Sequence, residues 1–413
     1  MATVRESHRM AWWRELPPKG KRALVGAFLG FGLDSYDFWV LPLSLAAIGT
    51  TFGLNSADKG WLATTTLLTS AVGGVAAGVL CDKIGRTRTL MITIITYAVF
   101  TALCGLAPNY ETLLVLRALQ GVGFGGEWAT GAILVAEYAS ARHRGRAVAV
   151  IQSSWAVGWG AAVLVYTLVF NLAGDETAWR VLFLTGLLPA LAVIYVRSKV
   201  EDAPHYTQRR ELAARGSLKA IFQGPLGKTT LFASLLATGC QGGYYTIATW
   251  LPSYLKNRGL SVIGTGGYLF FLIAGAFLGY LTGGYLTDRL GRRTSFQIFA
   301  FLSGVLLILY TRLPASAGTA VMYLGFPLGF CASAIFSGFG SYLAELYPTT
   351  ARGAGQSFTY NFGRAVGAFF PTVIGYLAGH YGTGGAMTFG ALAYALAFVS
   401  VLGLPETRGH ELS

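Results

Sequence analysis

Charge is what this chain lacks. Only 12% of its 413 residues are Asp, Glu, Lys or Arg, about half the share of a soluble domain, so a solvated globule is excluded. Cysteine is scarce as well. Cys81, Cys104, Cys240 and Cys331 show no spacing that suggests a disulfide or zinc framework, and they read as small apolar side chains. The five histidines (His8, His143, His205, His380 and His410) fall in tails or loops. That leaves no nucleophile–base or metal constellation for an intramembrane enzyme, and no cofactor or metal is expected. No small-residue cleavage site follows a short apolar core near the N-terminus, which argues against a cleaved signal peptide.

What is present is apolar. Hydrophobic residues make up 54% of the chain and glycines number 55, the mixture of membrane helices that pack closely. A bilayer core about 30 Å thick needs roughly 20 apolar residues per helix. Twelve such segments can be read: 23–48, 60–81, 89–107, 112–136, 147–171, 180–196, 229–255, 264–287, 295–313, 317–343, 355–379 and 384–404. The predicted fold is an all-α integral membrane protein. A tail (1–22) precedes a six-helix bundle (23–196), a charged linker (197–228), a second six-helix bundle (229–404) and a short tail (405–413).

The two bundles carry echoes of one another. Gly78, Asp82, Lys83, Gly85 and Arg86 recur 206 residues later as Gly284, Asp288, Arg289, Gly291 and Arg292. Glu137, Arg144 and Gly145 recur 208 residues later as Glu345, Arg352 and Gly353. Each copy of the first pattern is a tight basic loop between two hydrophobic helices. A duplication of this period in an apolar chain marks a transporter built from two homologous halves. The Gly-x-x-x-Asp-Lys/Arg-x-Gly-Arg loop resembles the signature loop of the major facilitator superfamily, and the resemblance runs over essentially the whole chain. It implies two pseudo-symmetric six-helix bundles. It also implies that Asp82, Arg86, Asp288 and Arg292, with Glu137, Arg144, Glu345 and Arg352, belong to a cytoplasmic gate.

Orientation follows from the cations. With the N-terminus inside, the cytoplasmic segments hold 24 of the 31 Lys and Arg residues, and the outer loops hold only Lys59, Arg180, Lys256, Arg258 and Arg312. This positive-inside bias places both termini in the cytoplasm. It accounts for the net charge of +13 through anionic lipid rather than nucleic acid. Met10, Trp12, Trp13 and Arg14 read as an amphipathic anchor at the headgroup level. A multi-pass protein of a bacterial inner membrane, acting as a monomer, is expected.

Two patterns mislead. Gly121, Gly123 and Gly126 fit the dinucleotide fingerprint, yet they lie inside an apolar helix with no preceding strand. Small residues there let helices approach. Gly227, Lys228 and Thr229 resemble the end of a phosphate-binding loop, but Phe222 stands where its first glycine must be.

The ionisable residues left inside the membrane are Asp34, Asp37, Arg117, Glu127 and Arg364. Each costs roughly 3 kcal/mol or more in hydrocarbon on insertion scales, so each should face a cavity or a partner. Asp34 and Asp37, three apart, share one face of the first helix. Two carboxylates that close in a poorly solvated cavity do not both ionise comfortably, which suits a proton-coupling site. The bland alternative is a helix cap or a structural pair with an arginine. Arg117 and Glu127, ten residues apart on the fourth helix, are separated by about 15 Å. Arg117 is open to three roles: holding the first helix's carboxylates, clasping an anionic substrate by its guanidinium fork, or alternating between them. Glu127 is either a second proton carrier or a structural carboxylate. Arg364 has no acidic residue in its own half's membrane core, so it awaits either an anionic substrate or a partner across the halves. Tyr36, Gln152, Trp155, Gln241, Tyr244, Tyr245, Tyr360 and Asn361 complete a pocket with an apolar wall and a few directional donors.

These residues sharpen the resemblance. The Asp-x-x-Asp of the first helix, the Arg117-to-Glu127 run and the Asn361-x-x-Arg364 of the eleventh look like those of the sialate/lactate proton symporters, with the aromatic-acid and metabolite proton symporters close by. What this implies is import of a small organic acid with protons, such as lactate, pyruvate or sialate, or alternatively an aromatic acid or a dicarboxylate such as muconate. Asp34, Asp37, Arg117 and Glu127 would carry coupling and recognition. A drug/proton antiporter would share the fold, but the Gly158 region lacks the Gly-Pro pattern of those exporters. Pro405, Glu406, Thr407, Arg408 and Gly409 would suit a neutral-sugar carrier, which has no need of Arg117 and Arg364.

Overall fold

The computed structural model describes residues 17–125, 144–191, 218–348 and 351–408. The expected anchor at Met10–Arg14, most of the linker, Glu127 and Glu137 lie outside the described residues, as do the side chains of Asp82, Arg86 and Arg144. The first half contains α1 (Pro18–Phe52), α2 (Ser56–Ile84), α3 (Arg86–Cys104), α4 (Tyr110–Phe124), α5 (Arg144–Leu172) and α6 (Asp175–Leu184). After a short turn of 3-10 helix at Leu218–Phe222, the second half contains α7 (Gly224–Asn257), α8 (Val262–Leu290), α9 (Arg292–Arg312), α10 (Gly318–Glu345), α11 (Arg352–Gly367), α12 (Phe370–Thr388) and α13 (Gly390–Leu402).

Twelve spans result, because the last three helices make two. Gly382, at φ +69°, breaks α12, so the eleventh span is α11 with the first part of α12, and the twelfth is the remainder with α13. Among the described residues α1, α3, α5, α8, α9 and α10 are each long and apolar enough to cross a membrane. Two less apolar helices, α2 and α7, also meet the other half. α2 carries Thr64, Thr65, Thr66, Thr69 and Ser70, and α7 carries Gln241, Tyr244 and Tyr245. Outward, Val72, Leu164, Leu168, Leu172, Phe270 and Leu392 are exposed, as contact with lipid tails requires. Cys104, Cys240 and Cys331 are buried among the helices.

Glycine sets the packing. α1 packs on α5, α2 on α4, and α3 on α4 and α6; the second half repeats this with α7 on α11, α8 on α10, and α9 on α10 and α13. A Cβ at Gly125 would run into the Ser70 carbonyl of α2, and one at Gly123 would come within 2.6 Å of the Tyr97 nitrogen of α3. Gly121 and Gly123, two of the glycines that mimic a dinucleotide fingerprint, therefore lie in the seam of a helix bundle. Gly275, Gly279 and Gly329 play the same part between α8 and α10. Trp39 of α1 stacks on Trp159 of α5 with parallel rings 3.8 Å apart.

The start of α1, the end of α13, the α2–α3 loop and the α8–α9 loop share one face, here called the terminal face; the opposite one is the far face. The halves meet where α2 touches α11 and α12, α5 touches α8, and α1 touches α7. The polar contacts between them described here lie from mid-membrane outwards to the far face. The Thr64 hydroxyl donates to the Ala368 carbonyl (2.6 Å) and accepts from Thr372 (2.8 Å). Lys256 pairs with Asp175 at 2.7 Å. Pro371 explains the break between α11 and α12: it has no N–H to offer the Gly367 carbonyl one turn back. The neighbouring Ala368 carbonyl accepts from Thr64.

Candidate functional site

Between the halves, near mid-membrane, lies a cavity of about 520 Å³ including its open mouth. Its charged groups among the described residues are Asp34 from α1 and Arg364 from α11, one from each half. Both are nearly fully buried. The Arg364 guanidinium stands over the Tyr360 ring at 5.3 Å, and Asp34 is within its electrostatic range. The remaining wall is aromatic, with Trp155 and Phe38 facing Tyr244, Tyr245 and Tyr280. The Trp155 indole N–H donates to the Tyr244 hydroxyl at 2.7 Å and joins the halves across the cavity. Gln152 also lines it.

Several expected site residues point elsewhere. Asp37 does not share the cavity with Asp34. It is enclosed within the first half, where its Oδ2 accepts from the Thr101 hydroxyl at 2.6 Å. The Tyr36 hydroxyl meets Thr185 at 2.5 Å on the same inner side. Arg117 is 2% exposed and donates to Gln120 one turn along its own helix. It stays in electrostatic range of Asp37, away from the cavity wall. Gln241 donates to the Tyr360 carbonyl at 2.9 Å and accepts from Tyr245 at 2.9 Å, so it positions two cavity tyrosines without lining the cavity itself. Asn361 donates to the Ser357 carbonyl at 3.0 Å, and its Oδ1 lies against Gly74 of α2.

At the terminal face the repeated loops share a backbone. Gly85 (φ +95°) and Gly291 (φ +99°) both adopt a conformation that side-chain-bearing residues rarely reach, each immediately before a helix. In the second copy the Arg292 guanidinium donates to Glu345 through Nε (3.1 Å) and Nη2 (2.9 Å), and it also pairs with Asp288. This fork ties α8, α9 and α10 together within one half. Arg352 sits beside it and donates to the Ala344 carbonyl at 2.9 Å.

The model of the Major Facilitator Superfamily matches residues 27–283 and 268–412. The chain belongs to this superfamily. A probable 4-methylmuconolactone transporter from Cupriavidus pinatubonensis is 39% identical over 401 residues, covering 97% of this chain and 94% of the relative. A cis,cis-muconate transport protein from Acinetobacter baylyi is 29% identical, covering 92% and 91%. The partially occluded inward-open structure of the xylose transporter XylE from E. coli shares the fold, with a TM-score of 0.77 over 96% of this chain and all of that one at 18% identity. The protein is thus a multi-pass membrane transporter of the facilitator type and not an enzyme.

Sequence reasoning missed part of this facilitator site. Tyr280, Phe336, Phe31, Phe38 and Phe124 line the cavity, but single aromatics in apolar helices carry no signal that separates wall from packing. It also missed Glu406, whose carboxylate accepts from the backbone N–H groups of Arg292 (2.8 Å) and Arg293 (3.1 Å) at the start of α9. Thr407 adds a 2.5 Å bond to Glu345. The Pro-Glu-Thr-Arg stretch is therefore a clasp on the α8–α9 loop. Glu406→Gln should lower stability by about 1 kcal/mol, the scale of a lost helix cap. A thermal melt in detergent that is unchanged would contradict that role.

Proposed function

We propose that the protein imports a small organic acid anion together with protons by alternating access, in a bacterial inner membrane with both termini cytoplasmic. The observation that carries this reading is the placement of Arg364 and Asp34, one from each half, in a cavity lined otherwise by aromatic rings and Gln152. A guanidinium there offers a carboxylate two parallel charge-assisted bonds. Flat faces of Trp155, Phe38 and the tyrosines suit an unsaturated or ring-bearing acid better than a polyhydroxylated one, since stacking needs a π-face and hydroxyls need partners. The substrates named for the muconolactone and muconate relatives fit that description. This reading favours the aromatic-acid or muconate-type alternative over lactate, pyruvate or sialate.

Energetics support proton coupling. Moving one negative charge inward against 100 mV costs about 2.3 kcal/mol. One accompanying proton cancels that cost and adds about 1.4 kcal/mol per pH unit of gradient. With the termini inside, the far-face contacts close the outer side, so the cavity here opens inward. Asp34 and Asp37 carry protons, with Glu127 as a further candidate, and protonation biases which side is open. Asp288, Arg292 and Glu345, with Asp82, Arg86, Glu137, Arg144 and Arg352, act at the cytoplasmic gate. Each chain contains a complete pathway, so a monomer suffices.

The test is uptake into proteoliposomes under an inward proton gradient, across muconolactone, muconate, benzoate, lactate, pyruvate and sialate. Accumulation of an unsaturated or ring acid, lost when a protonophore collapses the gradient, is the expected outcome. Gradient-independent movement of a neutral sugar, with no acid accumulated, would overturn the proposal.

A further inference from the structure

We infer that Thr101 and Gly186 form the seat that sets the proton affinity of Asp37, in a compartment separate from the substrate cavity. The inference rests on the reading of Asp37 as a proton carrier and adds which residues tune it. Asp37 is fully buried, and its Oδ2 holds the Thr101 hydroxyl of α3 at 2.6 Å. Gly186, just beyond α6, closes the other side. A Cβ there would lie 2.8 Å from Asp37 Oδ1 and would collide with the Thr101 methyl group. The absence of a side chain at position 186 is therefore what lets the hydroxyl and the carboxylate meet. Thr101 in mid-helix would otherwise turn its hydroxyl back to its own helix, as threonine does at many other positions in this bundle.

A hydroxyl that donates to a carboxylate favours its ionised form and so lowers its proton affinity. When a proton binds an Asp37 oxygen, Thr101 is free to accept from it or to turn away; when the proton leaves, the donated bond re-forms. The other titratable or charged groups facing Asp37 among the described residues are Tyr36 on α1, Cys104 on α3 and Arg117 on α4. α6 contributes Thr185 and Gly186, which do not titrate. Arg117 stands nearby as a charge, whereas Thr101 reaches the carboxylate by a directed bond. Thr101 and Gly186 are positioning residues, since neither lines the cavity.

The experiment compares wild type, Thr101→Val, Thr101→Ser and Gly186→Ala as full-length carriers in proteoliposomes. The readouts are the pH midpoint of acid uptake and the infrared titration of the protonated-carboxyl band that disappears in Asp37→Asn. Valine keeps the shape and removes the donor, so both midpoints should move up by about one pH unit, a tenfold gain in proton affinity. Thr101→Ser should stay within a few tenths of a unit of wild type, and Gly186→Ala should shift in the same direction as valine. Midpoints for Thr101→Val that match wild type would overturn the inference. Gradient-driven accumulation that survives in Asp37→Asn would instead defeat the proton-carrier reading, while the infrared comparison would still decide the role of Thr101.

Discussion

Arg364→Ala should reduce uptake of the acid more than a hundredfold. The substitution removes the cavity's described cation and leaves Asp34 facing it without that compensation. Truncating one member of a buried charge constellation typically costs about 2–5 kcal/mol, and each 1.4 kcal/mol is tenfold. Arg364→Lys should fall between, because an ammonium keeps the charge but not the planar fork. Initial uptake rates at equal amounts of folded carrier provide the check. Wild-type rates in Arg364→Ala would mean that the anion is bound elsewhere.

Gly158→Ala should be the most damaging small change in the bundle. A Cβ at Gly158 would run into the backbone carbonyl of Gly32 on α1, and backbone cannot swing aside as a flexible side chain can. Overpacking of this kind costs about 1–3 kcal/mol. It also pushes on the turn that carries Asp34, so uptake should fall together with the melting temperature. Gly160→Ala is the control, because its Cβ would meet only Ile273 at a relaxed 3.8 Å. Equal melting temperatures and uptake for the two variants would refute the argument.

Much of the architecture was legible in the sequence. Over the described residues the apolar segments coincide with helices, and the loops 206 residues apart share one unusual backbone at Gly85 and Gly291. These features follow from hydropathy and from glycine's conformational freedom, both local properties. The division of labour between Asp34 and Asp37 was not legible. A three-residue spacing places both on one broad face, but it does not say that α3 and α6 stand on one edge of that face and the cavity on the other. The sequence reads Arg364, Trp155, Arg117, Gln241, Asn361 and Tyr36 alike as cavity residues; the first two line it, whereas Arg117 and Asn361 bond within their own helices and Gln241 and Tyr36 bond to other elements. A polar residue in an apolar helix announces that it needs a partner, and only the packing reveals whether that partner is a ligand, a side chain or a backbone carbonyl.

The joint at the far face has a consequence for an empty carrier. Its ion pair, Lys256 with Asp175, is 34% and 50% exposed, and such pairs contribute only about 0–1 kcal/mol. The threonine contacts around Thr64 contribute about 1 kcal/mol each. The polar contacts described across this joint are thus light, and an unloaded carrier is expected to reopen that face at little polar cost. Opening without cargo is expected to follow from the same lightness. The membrane stays tight only if an unloaded pathway is narrow in every posture, a task that falls to the aromatic rings lining the route.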